Sequence, residues 1–398
     1  MRRRIAFGVV SVLVVGAAGA CSGTNGSGFP TDGGGSGSGS GGSGSGSGGI
    51  SSGDDGGLIL TNDGGVPPTD GGIVVTTKTT IYANTDVALY QLDPSSSPPA
   101  ITQIGPFAGI DASSNAVTDV AVNAAGEVYV NTEYSIYKCV LPSGGTGPVQ
   151  LTNGQQIVYP AGTTTTPRMY ALAFAPPGLL SPPGADGGAG TVETLVGGDG
   201  NGEVWSIDPA TGNAKDLGNF GSDPTSGSTN FLGLSGDIVF YNDATGAATG
   251  LATIRSCAPP PAAHPTYAPT CSGPSDFLAG INVAELTKAY ATGTPSLSLN
   301  GGMYGGSTTA TGPGTGSRDL FGLGAWEGNV FAFTRAIAGK DGGAAGAPPQ
   351  LLSISTASGA GAVVPETFDF TSGGWSGAGV TTKVTVTVTA PPPPPPPK

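Results

Sequence analysis

An all-β fold of repeated four-stranded antiparallel sheets is what this sequence predicts, and three observations predict it. Short runs rich in Val, Ile, Leu, Tyr, Phe and Thr recur from about residue 73 onward, each bounded by Gly, Pro, Asn or Asp. The runs come in groups of similar internal order. The 72 Gly and 35 Pro among 398 residues far exceed the roughly 7% and 5% of ordinary chains, yet they are unevenly spread. Segment 73–390 therefore keeps enough apolar content for a core.

The clearest group lies at 119–153, where DVAV, EVYVNT, SIYKCVL and PVQLT are separated by NAAG, EY and PSGGTG. Four strands joined by tight turns make one meander. The unit returns as ALAFAPPG (171–178) followed by VETLVGGDGNGEVWSIDPATGNAKDLGNF (192–220), with SIDPATG standing where SIYKCVLPSG stood. Within 73–107, ALYQLDPSS takes the same role; NFLGLSGDIVFYNDATG (230–246) and DLFGLGAWEGNVFAFT (319–334) align 89 residues apart, about two units. One such sheet cannot bury both faces, so the units must stack. Stacked radially they form a β-propeller, and at roughly 40–50 residues per unit the segment holds six or seven blades; β-sandwich domains are the alternative. Strand VTTKVTVTVT (380–389) alternates strictly and is expected to pair with VVTTKTTIY of the first blade, latching the ring. GEVWSIDPATGN resembles the repeats of secreted bacterial propellers that read IDPxTG, and GEVYVNTEYSIYK looks like the second and third strands of six- and seven-bladed propellers.

At the amino terminus Arg2-Arg3-Arg4 precedes IAFGVVSVLVVGAAGA, Ile5 to Ala20. This run is shorter than the roughly 20 residues of a spanning helix, so residues 1–20 read as a signal peptide. Its end, Ala18-Gly19-Ala20-Cys21, resembles the lipobox of bacterial lipoproteins, with Ala18 where Leu is preferred. The resemblance implies a diacylglycerol on the Cys21 thiol and a cell-envelope protein held to the membrane there; Ser22 in place of Asp implies the outer membrane. Residues 21–72, mostly Gly and Ser without apolar period, are expected to form a disordered tether with an r.m.s. reach of about 40 Å. Residues 391–398, seven prolines and a lysine, make a polyproline tail.

Lys and Arg number 14 against 27 Asp and Glu, a net charge of −13. Such a surface repels phosphate backbones, so nucleic acid is not an expected partner; a protein or glycan ligand fits better. With one histidine, His264, histidine triads, multi-histidine zinc sites and haem attachment are poor readings. Cys257 and Cys271 bracket a Pro-rich loop and, in an exported chain, are expected to form a disulfide, worth about 3 kcal/mol by loop entropy. They and His264 lack the paired spacing of a zinc site. Cys139, inside SIYKCVL, reads as a small buried thiol. Asp199, Asn201 and Glu203 place oxygens at alternate positions, as calcium loops do, but the remaining ligand series is missing and the same residues suit a hairpin turn.

No cofactor is expected. Isolated acids stand near strand starts: Asp119, Glu127, Glu203, Asp237, Asp319 and Glu327. Two of them held about 5–10 Å apart around a channel would serve polysaccharide cleavage. The reading is a lipid-anchored envelope protein displaying a non-enzymatic binding or scaffold propeller, with a carboxylate-dependent polysaccharide-active enzyme as the alternative.

Overall fold

A computed structural model describes residues 80–111, 115–163, 166–180, 192–224, 228–243, 247–259, 270–303, 319–326, 329–335, 349–356, 359–365, 374–382 and 385–386. The first strands are β1 (Ile81–Thr85), β2 (Ala88–Asp93) and β3 (Ala100–Ala108). The meander at 119–153 gives β4 (Asp119–Val122), β5 (Val128–Asn131), β6 (Ser135–Val140) and β7 (Val149–Gln156). Next come β8 (Met169–Ala175), β9 (Thr194–Asp199), β10 (Glu203–Ile207) and β11 (Ala214–Asn219). Strands β12 (Phe231–Asp243), β13 (Ala248–Ala258) and β14 (Thr270–Ile281) lead through helix α1 (Val283–Thr292) to β15 (Leu299–Met303). The last are β16 (Leu320–Trp326), β17 (Asn329–Thr334), β18 (Leu351–Ser355), β19 (Gly361–Val364), β20 (Trp375–Val380) and β21 (Thr385–Val386).

These strands build an all-β propeller. Its antiparallel groups are β20-β1-β2-β3, β4-β5-β6-β7, β8-β9-β10-β11, β12-β13-β14-β15 and β16-β17-β18-β19. The first two share one eight-stranded sheet only because the outer strands β3 and β7 pair in parallel at Phe107–Val149 and Ala108–Gln150. Strands β4, β8, β12, β16 and β20 each pack against the next, and β20 packs against β4, closing a ring. Among the described residues the blades are thus five, not the six or seven expected from an even repeat. The inner strands begin at 119, 169, 231, 320 and 375, so the spacing is uneven. The aligned pair at 230–246 and 319–334 belongs to neighbouring blades, one unit apart and not two, because the fourth blade carries an insertion with α1. Asn282 caps that helix, accepting the Glu285 amide at 3.3 Å, and Gly293 ends it in the left-handed region at φ +70°.

The latch also differs from expectation. It is Trp375–Val380, pairing with β1 from Ile81–Val380 to Asn84–Gly377, and only Val380 of the alternating segment takes part. Crowding explains the choice. A Cβ on Gly377 would lie 2.0 Å from Asp119 Oδ1, and one on Gly379 would lie 2.2 Å from the Val120 carbonyl oxygen, so the Thr-Val alternation could not enter here. Beyond the latch, Thr381 donates to the Asn123 carbonyl at 3.0 Å, Thr382 donates to Glu193, and β21 runs parallel to β12 at Asn242 and Asp243. This strap crosses the end of the ring where the inner strands finish. Because Ile81 pairs with Val380, the described chain also enters the ring at that end.

Apolar side chains fill the spaces between blades. Val120 and Val128 face the first blade's Leu89, whereas Ala121 packs with Leu172 and Trp205 of the third. Fully buried Trp375 meets Tyr90 and Phe333 edge-on, each at 5.2 Å between centroids, joining the first and fifth blades.

Candidate functional site

Where each inner strand meets the mouth, a rim residue is followed by a residue at the axis and then by a backbone N–H donor. The triplets are Thr118-Asp119-Val120, Tyr170-Ala171-Leu172, Gly236-Asp237-Ile238, Phe321-Gly322-Leu323 and Ser376-Gly377-Ala378. Only two axial residues carry a reaching side chain, and small residues at the other three make the room for them. Asp119 accepts the Val120 amide at 2.7 Å and the Leu172 amide at 2.6 Å. Asp237 accepts the Ile238 amide at 2.5 Å and those of Leu323 and Ala378. The two carboxyls also lie close enough at the axis to perturb one another. Both residues are 0% exposed, and burial pushes both carboxyls well above the usual carboxylate range.

One residue above this pair the axis opens. A cavity of about 280 Å³ is lined by the rim side chains Thr118, Tyr170, Phe321 and Ser376, joined by Asp86, Glu133, Tyr134 and Arg335. Arg335 Nη2 donates to Asp86 Oδ2 at 2.7 Å, and Ser376 donates to the other oxygen. The guanidinium lies 5.6 Å from the Phe321 ring centroid, a cation–π arrangement. Opposite in charge order, Glu133 pairs with Arg168 at 3.5 Å, and Arg168 is hydrogen-bonded to the Tyr170 hydroxyl. Two carboxylates thus meet two guanidiniums, and Tyr134 stands 37% exposed at the mouth. The rim is fixed by a repeated device. Asn84 and Asn131, in YANT and YVNT at the ends of β1 and β5, donate to the carbonyls of Val117 and Met169, which lead into the next blade's inner strand. Below the carboxyl pair the axis is filled by apolar side chains such as Leu172, Ile238 and Leu323.

Of the six acids singled out in the sequence, Asp119 and Asp237 come together, and the others do not join them. Asp319 pairs with Arg255 at 3.0 Å in a buried network with Asp276 and Ser235. Glu127 bonds Lys138 and Asn123 at the β4–β5 hairpin. Glu203 is half-buried on β10 beyond the β9–β10 turn, and Glu327 lies outside the described residues. Asp199 organises that turn, accepting the amides of Asn201 at 2.9 Å and Glu203 at 3.0 Å; burial lifts its carboxyl to about 7. This is the geometry of the hairpin reading. Among the described residues no group of three or more His, Cys, Asp or Glu is placed to hold a metal.

Cys257 and Cys271 are bonded across the β13–β14 pair, while His264 between them and Cys21 lie outside the described residues. Cys139 is a buried free thiol that burial pushes up to about 12, too weak an acid for nucleophilic work. The sequence reading missed the mouth residues Asp86, Glu133, Tyr134, Tyr170, Phe321, Arg335 and Ser376. Their signal is position: Tyr170, Phe321 and Ser376 are the second residues of inner strands, and Asp86, Glu133, Tyr134 and Arg335 come within three residues after a second strand.

No protein-family model matches this chain, and no curated protein does. Among solved structures it is similar to a protein of unknown function from Bacteroides caccae, at 9% identity and TM-score 0.32 over 76% of this chain and 98% of that one. A protein of unknown function from Bacteroides thetaiotaomicron gives 13% and 0.32 over 77% and 64%. The Dos1 propeller gives 9% and 0.28 over 78% of each chain. At such scores these likenesses carry no argument of their own, and the fold rests on the strand order above.

Proposed function

We propose that this chain is a lipid-anchored cell-envelope protein, held through Cys21 in the outer membrane, and that its propeller binds a neutral glycan at the axial mouth without chemistry. The observation that carries the reading is the cavity's lining. Asp86 has Arg335 beside it on the wall, and Glu133 has the mostly exposed Arg168 outside the lining, so neither carboxylate is unpaired, while the remaining donors and acceptors suit hydroxyl groups and the rings of Tyr134, Tyr170 and Phe321 suit a sugar's C–H face. At about 280 Å³ the space is at the small end of ligand sites, which run from roughly 300 to 1,000 Å³. A short saccharide end fits that size.

The described chain enters at Ile81 on the strapped end, and the mouth opens at the other end. Glycoside hydrolysis wants two carboxyls with substrate between them. Asp119 and Asp237 are sealed side by side, which favours binding over the enzymatic alternative.

The test is calorimetric titration of the purified full chain with neutral, uronic and sulfated oligosaccharides. Neutral saccharides are expected to bind and Arg335→Ala to lose at least about tenfold, the equivalent of one good polar contact. Failure of every neutral saccharide, or equal binding by Arg335→Ala, would remove the reading, and hydrolysis of a bound oligosaccharide would restore the enzyme. Fatty-acid labelling of wild type but not Cys21→Ala is the matching test of the anchor.

A further inference from the structure

The axial carboxyls are solved differently from the other polar groups of the ring. Five inner strands each turn one backbone N–H toward the axis, where no sheet partner waits, and a buried N–H without an acceptor is costly. Asp119 takes two of these donors, Val120 and Leu172, and Asp237 takes three, Ile238, Leu323 and Ala378. All five blades are represented. Proximity of the two side chains is shown twice over: Gly377, whose Cβ would strike Asp119 Oδ1, is followed directly by Ala378, which donates to Asp237.

We infer that Asp119 and Asp237 are the clasp of the ring, one carboxylic acid and one carboxylate sharing a single proton, so that closure of the five inner strands depends on that proton. A carboxylate only accepts hydrogen bonds, and two fully buried carboxylates side by side at one axis would repel with no water to screen them, so the pair is held together by protonation of one of them. No cation relieves the pair. Arg255, the buried guanidinium on β13, is committed to Asp276 and Asp319. With three amides Asp237 is the better-solvated anion, which places the proton on Asp119, donating to Asp237. Burial raises both carboxyls above the usual carboxylate range.

Other titratable groups on the surrounding strands face elsewhere. Tyr170 on β8 lines the cavity above, Tyr82 on β1 packs against the cluster of Leu89 and Val120, and Tyr241 on β12 lies in the core with Trp375. Asp243 stands at the far end of β12, and β4, β16 and β20 carry no further titratable residue. The folded state therefore holds a proton that the unfolded chain releases above about pH 4. Stability from this source is full below that pH and is lost as pH rises toward the folded value, with the folding equilibrium constant falling about tenfold per pH unit. The rim residues Thr118, Tyr170, Phe321 and Ser376 each precede a clasp donor by two positions, so the mouth inherits its shape from the shared proton.

The experiment is denaturant unfolding of the full chain from about pH 5 to about pH 9, wild type against Asp119→Asn. Asparagine keeps the donor to Asp237 but cannot release it, and its Nδ2 cannot accept an amide as the carboxyl oxygen does. The variant is expected to start less stable at the acidic end, and the gap to close by about tenfold in equilibrium constant per pH unit. A gap that stays constant across the range would overturn the shared proton. Should the variant not fold, carbon-13 titration of the assigned aspartate carboxyls in wild type decides: one carboxyl of the Asp119–Asp237 pair is expected to stay protonated after the exposed aspartates have ionised. A pair that ionises together with the exposed aspartates would equally overturn it.

Discussion

The mouth cavity and the axial clasp lie one residue apart along the same strands, and both are built around two carboxyl groups, yet they solve the charge problem in opposite ways. At the mouth, Asp86 and Glu133, each with a side chain 34% exposed, have guanidinium partners and water. At the clasp, Asp119 and Asp237 are 0% exposed and have only backbone amides and each other. Ion pairs at a wet surface add little to stability, typically about 0–1 kcal/mol, so the mouth is free to be selected for what it binds. Buried polar groups must be fully satisfied or they cost several kcal/mol, so the clasp is constrained by what it holds together.

That contrast can be broken from the clasp side. Ending the chain at Gly374 removes β20, the inner strand of the first blade, and with it the Ala378 donor and Trp375. The expected outcome is loss of a cooperative unfolding transition, read by circular dichroism against denaturant. Trp375→Ala alone should cost about 3–5 kcal/mol, as for other large buried aromatics; an unchanged midpoint would detach the latch from the ring's stability. A smaller step is Gly377→Ala. Its methyl would meet Asp119 Oδ1 at 2.0 Å, and the expected loss is about 1–3 kcal/mol from overpacking, measured as a shift in the same midpoint. At the mouth, Arg335→Ala should cost less than about 1 kcal/mol of stability while weakening saccharide binding at least about tenfold. A large stability loss there would erase the distinction between the two regions.

Much of the ring was legible because its signals are local. DVAV, EVYVNT, SIYKCVL and PVQLT became β4 to β7 in that order, since alternation and turn residues decide strands over a few positions. The blade count was not legible, because the insertion between β14 and β15, which hides α1 behind the unnoticed Asn282 and Glu285 capping signal, stretched one unit to look like two. Local strength misled at the latch as well. VTTKVTVTVT has far better β character than WSGAGV, but the axis admits only a lean strand, and tertiary crowding overrides propensity. The site was half visible. Asp119 and Asp237 were named as acids, though nothing local could say that they meet; Asp86 and Ser376 touch across 290 residues of sequence, a proximity only the closed ring creates.

The pairing of Ile81 with Val380 also sets a timetable for the growing polypeptide. The first blade is made from both ends of the domain, so its missing strand is synthesised almost last, and contacts of such long sequence separation form late and slowly. Until then the nascent chain carries four blades' worth of sequence that cannot be locked into a ring. For the exported protein proposed above, that delay would keep the chain unfolded on the near side of a secretion pore, through nothing more than the order in which the strands are made.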